Sequence, residues 1–313
     1  MKLNDYEHIP VLVEEVLNGL KLRPDGFYVD CTFGRGGHTQ AILNRLGSEG
    51  RVLVFDKDPD AIEFAGKLAA ADGRLSCVHA SFSRLFEEIA RLDKVGKVDG
   101  VLFDLGVSSP QLDDSLRGFS FSREGQLDMR MDTTTGISAA HWINRAEEKE
   151  IARVLFEYGE ERHARRIAAR IAGAREKAPI TTTSQLAGII SSAIPGRERD
   201  KHPATRSFQG IRIFINDELE ELRRGLQAAM KVLCVGGRLV VISFHSLEDR
   251  IVKRFMRDLA SADPYPKDLP VRADSLHPKL RISGKVIRPG KEEVERNPRS
   301  RSARLRIAEV LEA

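Results

Sequence analysis

Three short segments combine glycine, hydroxyl and acidic residues in spacings that suit chemistry. The first is Asp30-Cys31-Thr32-Phe33-Gly34-Arg35-Gly36-Gly37-His38. Glycines between a strand and a helix let the backbone approach a ligand closely, and a helix N-terminus favours negative groups. The run is not GxGxxG, so the dinucleotide fingerprint is absent. Asp56 stands farther on, at the end of a second apolar run. An acid at that place accepts hydrogen bonds from ribose hydroxyls. A strand-one acid, a Gly-x-Gly turn and a strand-two acid together form the arrangement S-adenosylmethionine enzymes use. A bare structural turn is the alternative.

The second segment is Asp104-Leu105-Gly106-Val107-Ser108-Ser109-Pro110-Gln111. An acid and a Ser-Ser-Pro turn at a strand end suit methyl transfer to an amino group. The exocyclic amine of cytosine or adenine is a poor nucleophile, because its lone pair spreads into the ring. Acceptors that hold its N–H bonds localise that pair, and positioning does much of the rest. From spacing alone, Asp104 serves equally well as a cap. The third segment is Ser243-Phe244-His245-Ser246-Leu247-Glu248-Asp249-Arg250. Ser246 with Asp249 three residues on reads as a capping box. His245 lands on the same carboxyl edge, although a lone histidine is more often structural.

These segments need a scaffold, and the apolar pattern supplies one. Short strands read at 27–31, 51–55, 75–79 and 98–105, with helices at 60–71 and 83–92 between them. Buried strands alternating with helices imply an α/β protein with a doubly wound, largely parallel sheet. A fifth strand reads at 237–244. The intervening 106–236 far exceeds a crossover of about a dozen residues. Helical patterns at 138–144, 147–158, 160–177 and 184–193 fill the gap, so a helical domain is inserted. The expected parts are 1–109, the inserted substrate-binding domain 110–205, and 206–313. Phe208, Ile211, Ile215, Leu219, Leu222, Leu226, Met230 and Leu233 predict one long returning helix that Gly236-Gly237 ends. Residues 303–308 alternate as a final antiparallel strand with its basic face outward. Trp142 is expected in a core.

Net charge over 313 residues is +4, but its distribution is uneven. Residues 279–306 hold ten Lys/Arg and three acids, so that window is +7 and the rest −3. Such a block suits a phosphate-rich partner or a solvated segment. Arg162, Arg165, Arg166, Arg170 and Arg175 line one helical stretch, where a solvated face is the commoner explanation. Arg197, Arg199, Lys201, His202 and Arg206 cluster in a Pro-containing loop and are better phosphate candidates. The composition is 41% hydrophobic and 31% charged. That balance supports a core and excludes a disordered tail. No stretch reaches the roughly 20 apolar residues that cross a bilayer, and the N-terminus has no secretory apolar core. Cys31, Cys77 and Cys234 lie far apart and make neither a zinc pattern nor a disulfide framework, so no metal and a cytoplasmic location are expected.

Several of these motifs are long and unusual, and together they resemble one family. They are His8-Ile9-Pro10-Val11, the Thr32–His38 turn, Asp104 to Asp113, Arg117-Gly118-Phe119-Ser120-Phe121 and Leu127 to Asp132. Tyr158-Gly159-Glu160-Glu161, His202 to Arg206 and Ile242 to Arg250 complete the set. From His8 to the final strand the chain resembles the MraW family of small-subunit ribosomal RNA methyltransferases H. The resemblance implies a class I S-adenosylmethionine-dependent, Rossmann-like methyltransferase fold. It implies methyl transfer to N4 of a cytidine in the decoding centre of 16S rRNA, within the small ribosomal subunit. It also implies a cofactor site of Gly36, Gly37, His38, Asp56, Phe82, Asp104 and Gln111. Asp56 would hold the ribose, Phe82 would lie near the adenine, and Asp104 would sit between cofactor and target amine. Ser108, Ser109 and His245 are expected around the target. The identity of the proton acceptor and the oligomeric state, a homodimer included, stay open.

Three rival readings are weaker. An NAD-dependent oxidoreductase lacks its fingerprint. A non-catalytic rRNA-binding assembly factor has no use for an intact cofactor-type turn. A DNA amino-methyltransferase would be expected to carry a separate sequence-reading domain, and none is apparent.

Overall fold

The computed structural model describes residues 10–194, 202–261 and 277–311. His8 and Ile9 of the N-terminal motif, and Arg197, Arg199 and Lys201 of the basic loop, lie outside them. The chain divides into two compact units, residues 1–106 with 219–313, and residues 107–218.

The first unit opens with α1 (Val13–Leu20), β1 (Phe27–Asp30), α2 (Gly37–Leu43), β2 (Arg51–Asp56), α3 (Pro59–Ala71), β3 (Leu75–His79), α4 (Leu85–Arg91) and β4 (Val98–Asp104). The second contributes α5 (Ser109–Asp113), α6 (Ala139–Arg145), α7 (Glu148–Glu157), α8 (Ala164–Arg175), α9 (Thr183–Ala193) and α10 (Thr205–Ile215). The first unit resumes with α11 (Glu218–Val232), β5 (Leu233–Ser243), α12 (Ser246–Ser261), β6 (Leu280–Ile282), α13 (Lys291–Arg296) and β7 (Arg304–Val310).

The strand order is β3-β2-β1-β4-β5-β7-β6, with β1 to β5 parallel and β7 antiparallel to both neighbours. This is the class I methyltransferase sheet, a Rossmann-like doubly wound fold with one reversed strand near its edge. Alternation along each strand divides the side chains between two faces. Val101, Phe103, Leu239 and Val241 join Leu85, Leu222, Leu226 and Val252 on one side. Leu102, Val240 and Ile242 join Val16, Leu17, Ile42 and Ala61 on the other. Both faces are buried, which is why these strands read as continuous apolar runs. Asp58 caps α3 by accepting from the Asp60 N–H, and Pro59 starts the helix.

Two expectations about the return are corrected. The single long helix is two helices, α10 and α11, broken at Asn216-Asp217. The Asn216 amide donates to the Met129 carbonyl and its oxygen accepts from the Met131 N–H, at 2.7 Å each. Asp217 adopts a positive φ of 51°. Continuous apolar spacing conceals the break, because a local polar anchor makes it. The second unit therefore ends at Glu218 rather than at 205, and its first residue is Val107 rather than Pro110. Likewise Gly236-Gly237 does not end α11, which stops at Val232. Gly236, at φ 81°, sits in an irregular stretch of β5. There Leu233 pairs with Val98 and Arg238 with Gly100.

In the second unit Trp142, Ile143, Ile151, Val154, Leu155, Ile167, Ile171 and Ile190 form the core. Trp142 packs on Phe214 at 4.9 Å between ring centroids, as its expected core role requires. Arg175 is not part of a solvated face. Its guanidinium donates to the carbonyls of Ile143 at 2.8 Å and Ala146 at 2.6 Å. These bonds satisfy carbonyls at the end of α6 that have no partner within the helix. No helix among the described residues is long and apolar enough to cross a membrane.

Candidate active site

Three acids end neighbouring parallel strands at their carboxyl edge: Asp30 on β1, Asp56 on β2 and Asp104 on β4. Ligands of open α/β sheets bind at that edge. Asp30 is buried and organises the first turn. It accepts from the Thr32 N–H at 3.1 Å and the Thr39 hydroxyl at 2.7 Å. Burial pushes its carboxyl above the ordinary range, the Thr39, His38 and Thr32 interactions oppose the shift, and Asp104 adds to it. Thr32 in turn accepts from the Asp104 N–H at 2.7 Å, tying the β1 turn to the end of β4. Gly36 takes φ 73°, and a Cβ there would meet the Phe33 ring at 2.7 Å, so only glycine fits this turn.

Asp56 accepts from the Gly34 N–H at 2.8 Å and the Asp58 N–H at 2.9 Å. Burial pushes its carboxyl up to about 6 despite those two donors, with Asp58 and Asp30 adding to the rise. Phe82 follows β3, packing edge-on against Phe103 at 5.3 Å and against Gly225 of α11. Asp104 is the least satisfied of the group. One carboxylate oxygen lies 3.5 Å from His38 Nε2, an ion-pair distance. The other is buried without a hydrogen-bond partner among the described residues, as are both His38 ring nitrogens. Burial pulls His38 down, but Asp104 and then Asp30 outweigh it and raise its pKa.

His245 follows β5. Its Nε2 lies 3.1 Å from Glu248 Oε1, with Glu248 buried and His245 nearly so. Glu248 also accepts from the Phe244 N–H at 2.9 Å. The expected backward contact from Asp249 is therefore made by Glu248. Asp249 instead pairs with Arg304 and Arg306 at 2.7 Å each. Arg304 and Arg306 occupy the less buried positions of β7, as its alternation predicts, but their charge is held by that carboxylate. Glu309 pairs with Arg238 and Arg281 in the same way.

Gly36, Gly37, His38, Asp56, Phe82, Asp104 and His245 all belong to the first unit, where His38 and Asp104 face each other directly. Ser108, Ser109 and Gln111 belong to the second. There the buried Gln111 side chain accepts from the Ser108 N–H at 2.9 Å and caps the short α5. Thr32, Thr39 and Glu248 are the site's supports missing from the sequence reading. The Asp30-x-Thr32 spacing is a usable signal, since such a carboxylate bonds the backbone two residues on. Cys31 is no nucleophile: burial and then Asp30 hold its thiol well above the usual value.

The model of the MraW methylase family matches residues 5–311. The chain belongs to the MraW methylase family. A protein of Coxiella burnetii named ribosomal RNA small subunit methyltransferase H is 55% identical over 304 residues, covering 97% of this chain and 99% of its own length. One of the same name from Pseudoalteromonas atlantica is 54% identical over 306 residues, covering 97% and 98%. Family membership makes S-adenosylmethionine the methyl donor. The residues present fit that group. Three carboxyl groups at one edge suit a cationic sulfonium with an ammonium group, and the partnerless Asp104 oxygen calls for a donor.

Proposed function

We propose that this MraW-family methylase transfers a methyl group from S-adenosylmethionine to the exocyclic N4 of a cytidine in the decoding centre of 16S rRNA. The names of its relatives support the rRNA substrate. The observation that carries the chemistry is the buried Asp104 oxygen without a partner among the described residues, at the carboxyl end of β4. When bound, S-adenosylmethionine supplies a methyl carried on a sulfonium.

In this reading Asp56 accepts from the ribose hydroxyls, with its orientation already fixed by Gly34 and Asp58. The Gly36-Gly37 turn leaves room for the cofactor's backbone-hugging portion. Phe82 provides an apolar wall for the adenine. The target base leaves its stack, because a paired cytosine cannot present its amine in line with the methyl. Asp104 accepts an N–H of that amine and draws its lone pair out of the ring. As the new N–C bond forms the S–C bond would break, so positive charge passes from the sulfur to the amine, which then releases one proton; the carboxylate beside the amine stabilises that transition state more than the ground state. His38 holds Asp104 from behind, and Glu248 orients His245. The helical unit serves as the substrate-binding part.

The test is methyl transfer from S-adenosylmethionine carrying a tritiated methyl to unmodified 16S rRNA, free or in small subunits. Label in N4-methylcytidine is expected. Label absent from rRNA, or found on a ring carbon or ribose, overturns the reading.

A further inference from the structure

Arginines on exposed helix faces of this chain often meet a carboxylate one turn away. Arg84 and Arg91 pair with Glu88, Arg153 with Glu157, and Arg223 and Arg224 with Glu220. Helix α8 departs from that habit. From Ala164 to Arg175 it contains no acid at all. Arg165, Arg166 and Arg170 on it, and Arg162 in the turn before it, are exposed. None of the four has an ion-pair partner among the described residues. Arg166 and Arg170 stand four apart, where like charges weaken a helix rather than support it. Between and beyond them Ala169 and Gly173 are exposed and small, and nothing lies within 4 Å of a Cβ built at Gly173. The fifth arginine, Arg175, is engaged in closing α6, so the open charges form a distinct set.

The geometry points to α8 as a binding face for the phosphate backbone of the RNA substrate. Four unpaired guanidiniums on and beside one helix offer forked donors matched to phosphate oxygens. The rise between positions four apart is about 6 Å, close to the spacing of successive phosphates along a strand. Such contacts carry no base information; they position the substrate while the sheet edge does the chemistry. The inference rests on the rRNA substrate proposed above.

The test replaces Arg162, Arg165, Arg166 and Arg170 with glutamine together, in the full chain, and measures binding to unmodified 16S rRNA as a function of salt. Each lost phosphate contact lowers the slope of log K against log salt by about 0.7–0.9. A fall of about three in that slope is expected, with S-adenosylmethionine affinity unchanged and Tm no lower. A set of four Arg→Lys replacements should keep most of the slope. An unchanged slope and affinity in the glutamine variant overturns the inference. So does a variant that keeps its RNA slope but loses binding to phosphatidylserine vesicles, which would assign the face to a membrane surface. Failure of the underlying reading looks different: there the unsubstituted chain itself fails to methylate the rRNA.

Discussion

Asp56 and Asp104 end two strands of the same sheet and are satisfied in opposite ways. Asp56 has a backbone N–H on each oxygen, from Gly34 and Asp58. Its geometry is complete before any ligand arrives, and further lone pairs on the same oxygens stay available. Asp104 has its main chain anchored by Thr32, yet one of its carboxylate oxygens is buried with no donor among the described residues. A buried acceptor without a partner destabilises the fold, so it is retained where something else completes it. The first arrangement suits holding a ligand. The second suits a step in which charge and hydrogen bonds change.

The contrast can be broken by substitution. Asp104→Asn keeps the shape and gives up the charge. Single-turnover methylation should slow by about 10²–10³-fold, the usual loss of one preorganised transition-state group, while RNA affinity barely changes. Near-normal turnover would leave backbone carbonyls and positioning as the whole chemistry. Asp56→Ala should act on binding instead, weakening S-adenosylmethionine by about 1.5–3 kcal/mol, or roughly 10–150-fold by calorimetry. An unchanged affinity would remove Asp56 from the cofactor site. Acidification sharpens the same point without mutation. With its carboxyl near 6, Asp56 is charged at pH 7 and protonated at pH 5. Cofactor affinity should therefore fall about tenfold per pH unit below 6. The folding linkage has the opposite sign. A raised acid favours the folded state when protonated, so this group's contribution is lost as pH rises through about 6. A pH-independent affinity in wild type would break the assignment. The smallest effect belongs to Thr32→Val, which removes the acceptor of the Asp104 N–H. Turnover should drop several-fold with cofactor affinity nearly intact, and equal losses in both would mean that Thr32 supports the whole turn.

Much of this is legible in the residues. The five parallel strands stand out because burial on both faces leaves unbroken apolar runs. Strand ends and spacing alone place Asp30, Asp56 and Asp104 at one edge. What escapes has a common cause: partners distant in sequence. The α10–α11 break depends on Met129 and Met131 meeting Asn216. The charge of β7 depends on Asp249, which shares no local pattern with Arg304 or Arg306. Counting Lys and Arg therefore favours the C-terminal block as the basic surface, although Arg281, Arg304 and Arg306 within it are held by Glu309 and Asp249. The α8 arginines read as an ordinary solvated face in the sequence, where the absence of carboxylates from neighbouring elements is invisible. Strand β6, three residues long, is too short to stand out.

The central claim is the atom that receives the methyl. Nucleoside mass spectrometry of 16S rRNA from cells with and without this protein tests it most directly. The account predicts a cytidine of the decoding centre that carries an N4-methyl group only when the protein is present, and that loses it when Asp104→Asn replaces the wild type. Identical modification in both cells, or a methyl that depends on the protein but sits on another atom, would contradict it.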